Sequence, residues 1–108
     1  MKPIVLRLAR DDLKEIHNRL AEFGINPPKK FRESFSTFCT NVTNMPYMYP
    51  KYDLNPKYHK AVIEYDCLVF YQIEEVNSKD RAKVYRVLHG KRDILPLLEI
   101  EKELGEVL

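Results

Sequence analysis

The chain has 108 residues, a length typical of one domain, and its 44% hydrophobic and 31% charged residues make it too apolar for a disordered chain. The longest apolar run, Cys67–Ile73, is far shorter than the ~18 residues that cross a bilayer, and the pattern of the first residues predicts no secretory signal. We therefore expect one domain, 1–108, in the cytoplasm, with both cysteines as free thiols. The net charge of +2 is uneven, because residues 1–98 carry +5 and the last ten, with four glutamates and one lysine, carry −3. A basic body favours an acidic polypeptide or a nucleic acid as partner.

The first part of the chain predicts a strand and a helix. Apolar residues alternate from Pro3 to Leu8, which is typical of a strand with one buried face. A helix then follows, with Asp12 and Glu15 as its capping box and Gly24 at its end. Its apolar stripe consists of Leu13, Ile16, Leu20 and Phe23.

A second helix begins directly after the first. Asn26 is the predicted N-cap and Pro27 the first helical residue. The stripe of this helix consists of Phe31, Phe35, Phe38, Cys39 and Val42. Because so few residues separate the helices, we expect an antiparallel hairpin packed on one face of a sheet. Three prolines then make Asn44–Tyr58 an aromatic loop.

The second half of the chain predicts a sheet. Strands are expected at Tyr58–Tyr65, Cys67–Ile73 and Lys83–His89, with a polar turn at Glu75–Asp80 and a closing helix at Ile94–Leu108 whose far end frays. The predicted fold class is α+β: strand, antiparallel helical hairpin, three-stranded antiparallel meander and short C-terminal helix.

Most enzyme chemistries find no support in this sequence. Three glycines cannot build a nucleotide cradle, and the three histidines are too dispersed for a metal site, so we expect neither cofactor nor metal. The segment His89–Asp93 places an imidazole, two cations and a carboxylate at the end of a strand, where a phosphate or carboxylate could bind. The alternative is a solvated turn in which Asp93 caps the last helix.

Two segments resemble a known family of proteins. Val69–Ile73 and Tyr85–Asp93, the latter with the string RVLHGKRD, follow a helical hairpin as they do in the RelE/ParE superfamily of bacterial toxin–antitoxin toxins. The resemblance implies the α+β fold above and a cognate antitoxin as partner. The shortness of the longest apolar run separately predicts no membrane association.

The superfamily has two mechanistic branches. RelE-like members cleave messenger RNA on the ribosome without a metal, whereas ParE-like members inhibit DNA gyrase. The arginine that the nuclease branch carries before its central strand is replaced here by Cys67 or Leu68. The terminal string is ParE-like, which favours gyrase as target. On this interpretation the target-binding residues are Arg86, His89, Lys91 and Arg92.

Two alternatives stay open. A ribosome-dependent nuclease acting on mRNA needs a base, an acid and a cation, for which His59, His89 and Arg92 are the candidates. A relative that only binds its partner is also compatible with the fold. For the antitoxin, we expect contacts from the aromatic loop, unless these residues merely pack onto the core: Tyr47, Met48, Tyr49 and Tyr52.

Overall fold

The computed structural model describes residues 1–99 and confirms the α+β class. Its elements, in chain order, are β1 (Ile4–Val5), α1 (Arg7–Ala21), α2 (Asn26–Asn44), β2 (His59–Ile63), β3 (Cys67–Val76), β4 (Lys79–His89) and a helical segment, α3, over residues 94–99. The rest of the predicted closing helix, including the end expected to fray, lies outside the described residues. Among residues 1–99, none of the helices is both long and apolar enough to span a bilayer.

The sheet has the order β1-β4-β3-β2. β2, β3 and β4 form the predicted antiparallel meander, and β1 pairs in parallel with the outer side of β4. β3 and β4 are longer than predicted, because Glu74 pairs with Arg81 and Lys83 across the strands and keeps polar residues inside the ladder. The turn is therefore only Asn77 and Ser78, both with positive φ as a tight hairpin requires.

The β3–β4 hairpin projects beyond its neighbours. β2 reaches only as far as Tyr71 on β3, and β1 reaches only Lys83 on β4. Residues 72–82 therefore form a two-stranded arm with no further strand beside it in the described part of the chain.

Each face of the sheet has its own apolar core. The face under α1 and α2 buries Val69, Val84 and Val87 against the helices. Phe31, Phe38 and Val42 of α2 are buried there, as the helical spacing predicts, while Phe35 and Cys39 are partly buried. The opposite face is covered by α3 and the aromatic loop, and its core consists of Tyr52, Tyr58, Phe70, Leu88, Ile94 and Leu98.

The start of α1 differs from the prediction. β1 has two residues, and the helix begins at Arg7 because Ala9, which is fully buried, extends the apolar stripe back by one turn. Asp12 therefore lies inside the helix and caps nothing, so the predicted capping box is wrong. The prediction that Phe23 belongs to the apolar stripe of this helix is also wrong, because Phe23 lies beyond the end of the helix and 76% of its surface is exposed.

The connection between the two helices, residues 22–25, is longer than predicted, because α1 ends at Ala21 and not at Gly24. Gly24 adopts a φ of +117°, a value that L side chains rarely take, and its N–H donates to the carbonyl of Ala21. α2 has prolines in its first turn, but Asn26 makes no capping hydrogen bond through its side chain, so its predicted N-cap role is wrong.

A buried ion pair joins α1 to β4. The Asp12 carboxylate accepts from Arg86 Nε at 2.6 Å, from Arg86 Nη2 at 2.8 Å and from the Val87 backbone N–H at 3.0 Å. Arg86 Nη1 also donates to the Leu97 carbonyl of α3 at 3.1 Å. The two side chains are only 7% and 9% exposed, so one guanidinium fastens three elements together in a water-poor site.

Asp12→Ala should lower the free energy of unfolding by about 3–5 kcal/mol, because it leaves a guanidinium and a backbone N–H buried without their carboxylate. Urea unfolding followed by circular dichroism measures this loss. Glu15→Ala is the matched control: it removes the exposed pair with Arg19 one turn later, and should cost under ~1 kcal/mol. Equal losses in the two variants would contradict a structural role for the buried pair.

Candidate functional site

The turn after β4 presents positive charge at the surface. Gly90 N–H donates to the Asp66 carbonyl at 2.9 Å, and Arg92 N–H donates to the His89 carbonyl at 3.0 Å. A Cβ on Gly90 would lie 3.2 Å from the Asp66 oxygen, so the close approach of the two segments favours glycine. Lys91 and Arg92 project outward and are exposed.

His89 is oriented by the same turn. Its Nδ1 accepts the Lys91 backbone N–H at 3.2 Å, an arrangement that assigns the ring proton to Nε2. The partly buried imidazole therefore offers one N–H donor beside the two cations. Such a set suits an anionic group on a partner.

Arg86, the fourth predicted target contact, is placed differently. Its side chain lies inside the domain, where it binds Asp12 and the Leu97 carbonyl. It is a structural group here, and the surface set reduces to His89, Lys91 and Arg92.

A groove runs from this turn along α1. It encloses about 440 Å³, and its apolar lining includes Ile16, Leu20 and Phe23. Arg19, Tyr65, Asp66, Cys67 and His89 complete the lining. Burial, reinforced by the negative charge of Asp66, raises the pKa of the Cys67 thiol to about 11, although Arg19 opposes this shift. Cys67 is therefore a protonated thiol at neutral pH and not a nucleophile.

The three nuclease candidates do not converge. His59 lies opposite Tyr71 on β3, whereas His89 lies opposite Cys67, which pairs with Ile63 of β2. The Cα atoms of the two histidines are two strand spacings apart across the sheet and four residues apart along it, a distance of about 16 Å. His59 is 8% exposed and hydrogen-bonds the Tyr49 carbonyl at 2.7 Å through Nδ1. The sheet thus holds His59 far from the turn that carries His89 and Arg92.

The aromatic loop divides into anchors and exposed residues. Tyr49 accepts from Asn41 Nδ2 at 2.9 Å, and Tyr52 packs on Phe70 with ring centroids 5.1 Å apart. These two fasten the loop to the core. Tyr47 and Met48 are 65% and 48% exposed and face outward.

A second groove, which sequence reasoning missed, is formed by residues of both helices of the hairpin. It encloses about 320 Å³. Leu13, Phe31 and Phe35 supply its apolar lining, together with Lys14, His17, Arg32 and Ser36. Arg32 Nη1 lies 2.6 Å from His17 Nε2, which accepts this hydrogen bond in its neutral form. The signal in the sequence was basic residues flanking both apolar stripes.

A family model settles the class of the protein. The model described as the ParE toxin of the type II toxin–antitoxin system parDE matches residues 4–94, which run from β1 to the start of α3. The chain belongs to this family. It is thus a toxin of a type II toxin–antitoxin system, in which an antitoxin is the partner. Among curated proteins, none matches the chain. The matched region contains every surface described above.

This ParE-family chain contains no cluster of three His, Cys, Asp or Glu side chains within residues 1–99 that could hold a metal ion. What the described surfaces offer is hydrogen-bond donors, cations and apolar grooves. These groups can bind a macromolecule without a bound cofactor.

The Cys67 thiol should react slowly in the folded protein. A Cys39→Ala variant leaves Cys67 as the remaining thiol, and its alkylation by iodoacetamide can be followed by mass spectrometry. We expect the rate to rise with pH up to about 11 in the folded chain but to level off near the ordinary pKa of 9.0 in urea.

The same shift sets the sign of a stability effect. The folded state holds this proton more tightly than the unfolded state, so the stabilisation is present below pH 9.0 and is lost as the pH rises to about 11. A folded-state rate that levels off at pH 9.0 would contradict the assignment.

Proposed function

We propose that this ParE-family toxin acts in the cytoplasm by inhibiting DNA gyrase and is neutralised by an acidic antitoxin. The observation that carries the proposal is the turn of His89, Lys91 and Arg92, which is exposed, positively charged and held in place by backbone hydrogen bonds. It offers an imidazole N–H and two cations that can bind an anionic group of a partner.

The nuclease alternative has weaker support. Metal-free RNA cleavage needs a base and an acid within hydrogen-bond reach of the same phosphodiester. The Cα atoms of His59 and His89 lie about 16 Å apart. His59 is also 8% exposed, with its Nδ1 hydrogen-bonded to the Tyr49 carbonyl, so its ring is poorly placed to act together with His89 and Arg92.

The purified toxin should inhibit supercoiling by gyrase, and Lys91→Ala/Arg92→Ala should weaken inhibition by about tenfold or more, since both cations can pair with carboxylates of the target. The assay measures the toxin concentration that halves supercoiling of relaxed plasmid. Stability should change by less than ~1 kcal/mol, because both side chains are exposed.

Lys79→Ala is the control, because this exposed lysine lies at the other end of β4. It should inhibit like the parent. Cleavage of mRNA in translating ribosomes with gyrase unaffected would refute gyrase as the target. Unchanged inhibition by the double variant would show that the turn is solvated and makes no contact with the target.

The antitoxin has two candidate contact areas. The hairpin groove combines an apolar floor with Lys14, His17 and Arg32, and no carboxylate contributes to its lining. On the aromatic loop, Tyr47 and Met48 provide exposed amphipathic side chains. An acidic segment that is disordered alone can gain from both burial and electrostatic steering on such surfaces.

Association with the product of the adjacent gene should depend on salt. We expect Lys14→Ala/Arg32→Ala to slow association and reduce its salt dependence, because both charges attract an acidic partner before contact. Tyr47→Ser/Met48→Ser should instead speed dissociation. Stopped-flow or surface-plasmon measurements at several salt concentrations separate the two effects. A toxin that binds this product at a salt-independent rate would contradict the electrostatic part of the proposal.

A further inference from the structure

The groove along α1 continues into the positively charged turn. A small neighbouring cavity shares Ile16, Arg19 and His89 with the larger groove. The rest of its lining consists of Asp12, Glu15, Val87 and Arg92. One continuous concavity therefore begins at Phe23, beyond the end of α1, and ends at the cations that follow β4. Its floor is apolar along the part formed by α1.

The mouth of this groove exposes more apolar surface than the fold requires. Phe23 is 76% exposed, and Ile25, two residues on, is 86% exposed; these are the highest values among the large hydrophobic residues of the described chain. Neither side chain belongs to a core cluster. The helix connection itself needs only Gly24 and the hydrogen bonds of the backbone. Exposed apolar groups beside a groove mark an interaction site.

The charged groups of the groove select the chemistry of a partner. Arg19, Arg92 and the Nε2–H of His89 can each donate to a carboxylate. Glu15 holds Arg19 at 3.0 Å, but both side chains are more than half exposed, so this pair exchanges for another carboxylate at small cost. Asp12 is already neutralised by Arg86.

The remaining carboxylate argues against a nucleic acid. Asp66 lines the groove opposite α1, where it would repel a phosphate backbone, whereas a peptide can offer it an N–H donor. The phosphate groups of a nucleic acid backbone also make no favourable contact with the apolar floor of Ile16 and Leu20. A peptide can place an apolar side chain on that floor and a neighbouring carboxylate at the cations.

We infer that the groove binds a segment of the target protein in which an apolar side chain, seated between Ile16 and Phe23, lies next to a carboxylate held by Arg92 and His89. The inference rests on the proposed function, in that the target is a protein. It extends the contact surface from the turn after β4 to the connection between the helices. It also makes Phe23 and Ile25 residues that determine binding.

The test is Phe23→Ser/Ile25→Ser in the full chain, compared with Met45→Ser/Leu54→Ser, whose side chains are similarly exposed, at 60% and 66%, on the aromatic loop. We expect the groove variant to need at least about tenfold more toxin to halve supercoiling. Its ability to arrest growth should fall in proportion. Its unfolding midpoint should stay unchanged, and its affinity for the antitoxin should stay within twofold of the parent's. The loop variant should inhibit like the parent.

The other outcomes separate the hypotheses. Parent-like inhibition by the groove variant overturns the inference and leaves gyrase as target. A groove variant that loses only antitoxin binding assigns the groove to the antitoxin and overturns it as well. If the parent spares gyrase but arrests growth without cutting RNA, the proposed target fails, and loss of arrest in the groove variant still supports a protein target. RNA cleavage by the parent, equally weakened in the groove variant, would place a nucleic acid in the groove.

Discussion

The carboxylate of Asp12 is the constraint on which the described fold depends. It lies on α1, 74 residues before Arg86, and yet accepts three hydrogen bonds from β4. The same guanidinium reaches the Leu97 carbonyl on the other side of the sheet. Because a buried charge without its partner is costly, the helical hairpin, β4 and α3 can adopt only a narrow range of relative positions. The groove and the turn after β4 are formed between elements that this pair fixes.

Asp12 also explains why the sheet has so short a first strand. β1 pairs with Lys83 and Val84, and beyond it the Val87 N–H would be left unpaired. The Asp12 side chain satisfies that donor, so α1 can begin at once and lie against β4. A side chain thus takes the place of a strand, and the concavity beside His89 is the space left next to it.

Local sequence patterns predicted those helices and strands whose buried residues repeat at a single helical or strand spacing. The α2 stripe and the apolar run of β3 were found because their residues repeat at helical or strand spacing over many positions. The start of α1 was not predicted correctly, because Leu6 and Leu8 alternate as in a strand whereas Ala9 belongs to the helix. Asp12 was wrongly predicted to cap the helix. The local sequence does not distinguish an aspartate that caps a helix from one that pairs with an arginine 74 residues away.

The candidate surfaces show the same limit. His89, Lys91 and Arg92 could be identified from one contiguous string, but the burial of Arg86 in that string follows from a distant carboxylate. Among the loop residues, composition could not separate Tyr47 from Tyr52. Only the packing of Tyr52 on Phe70 decides that one is exposed and the other buried.

The arm of residues 72–82 has a consequence for the dynamics of the sheet. Its strands are hydrogen-bonded to each other alone, whereas the parts of β3 and β4 beneath the helices are flanked on both sides or sealed by Asp12. Opening the arm breaks one ladder and exposes only Ala82 of the buried core, with Ile73 packed beside it. The amides of the arm should therefore exchange with solvent through small local fluctuations, and those near Val87 only through large ones. Local stability thus decreases along the same two strands, from the end that carries the proposed binding turn to the tip at Asn77.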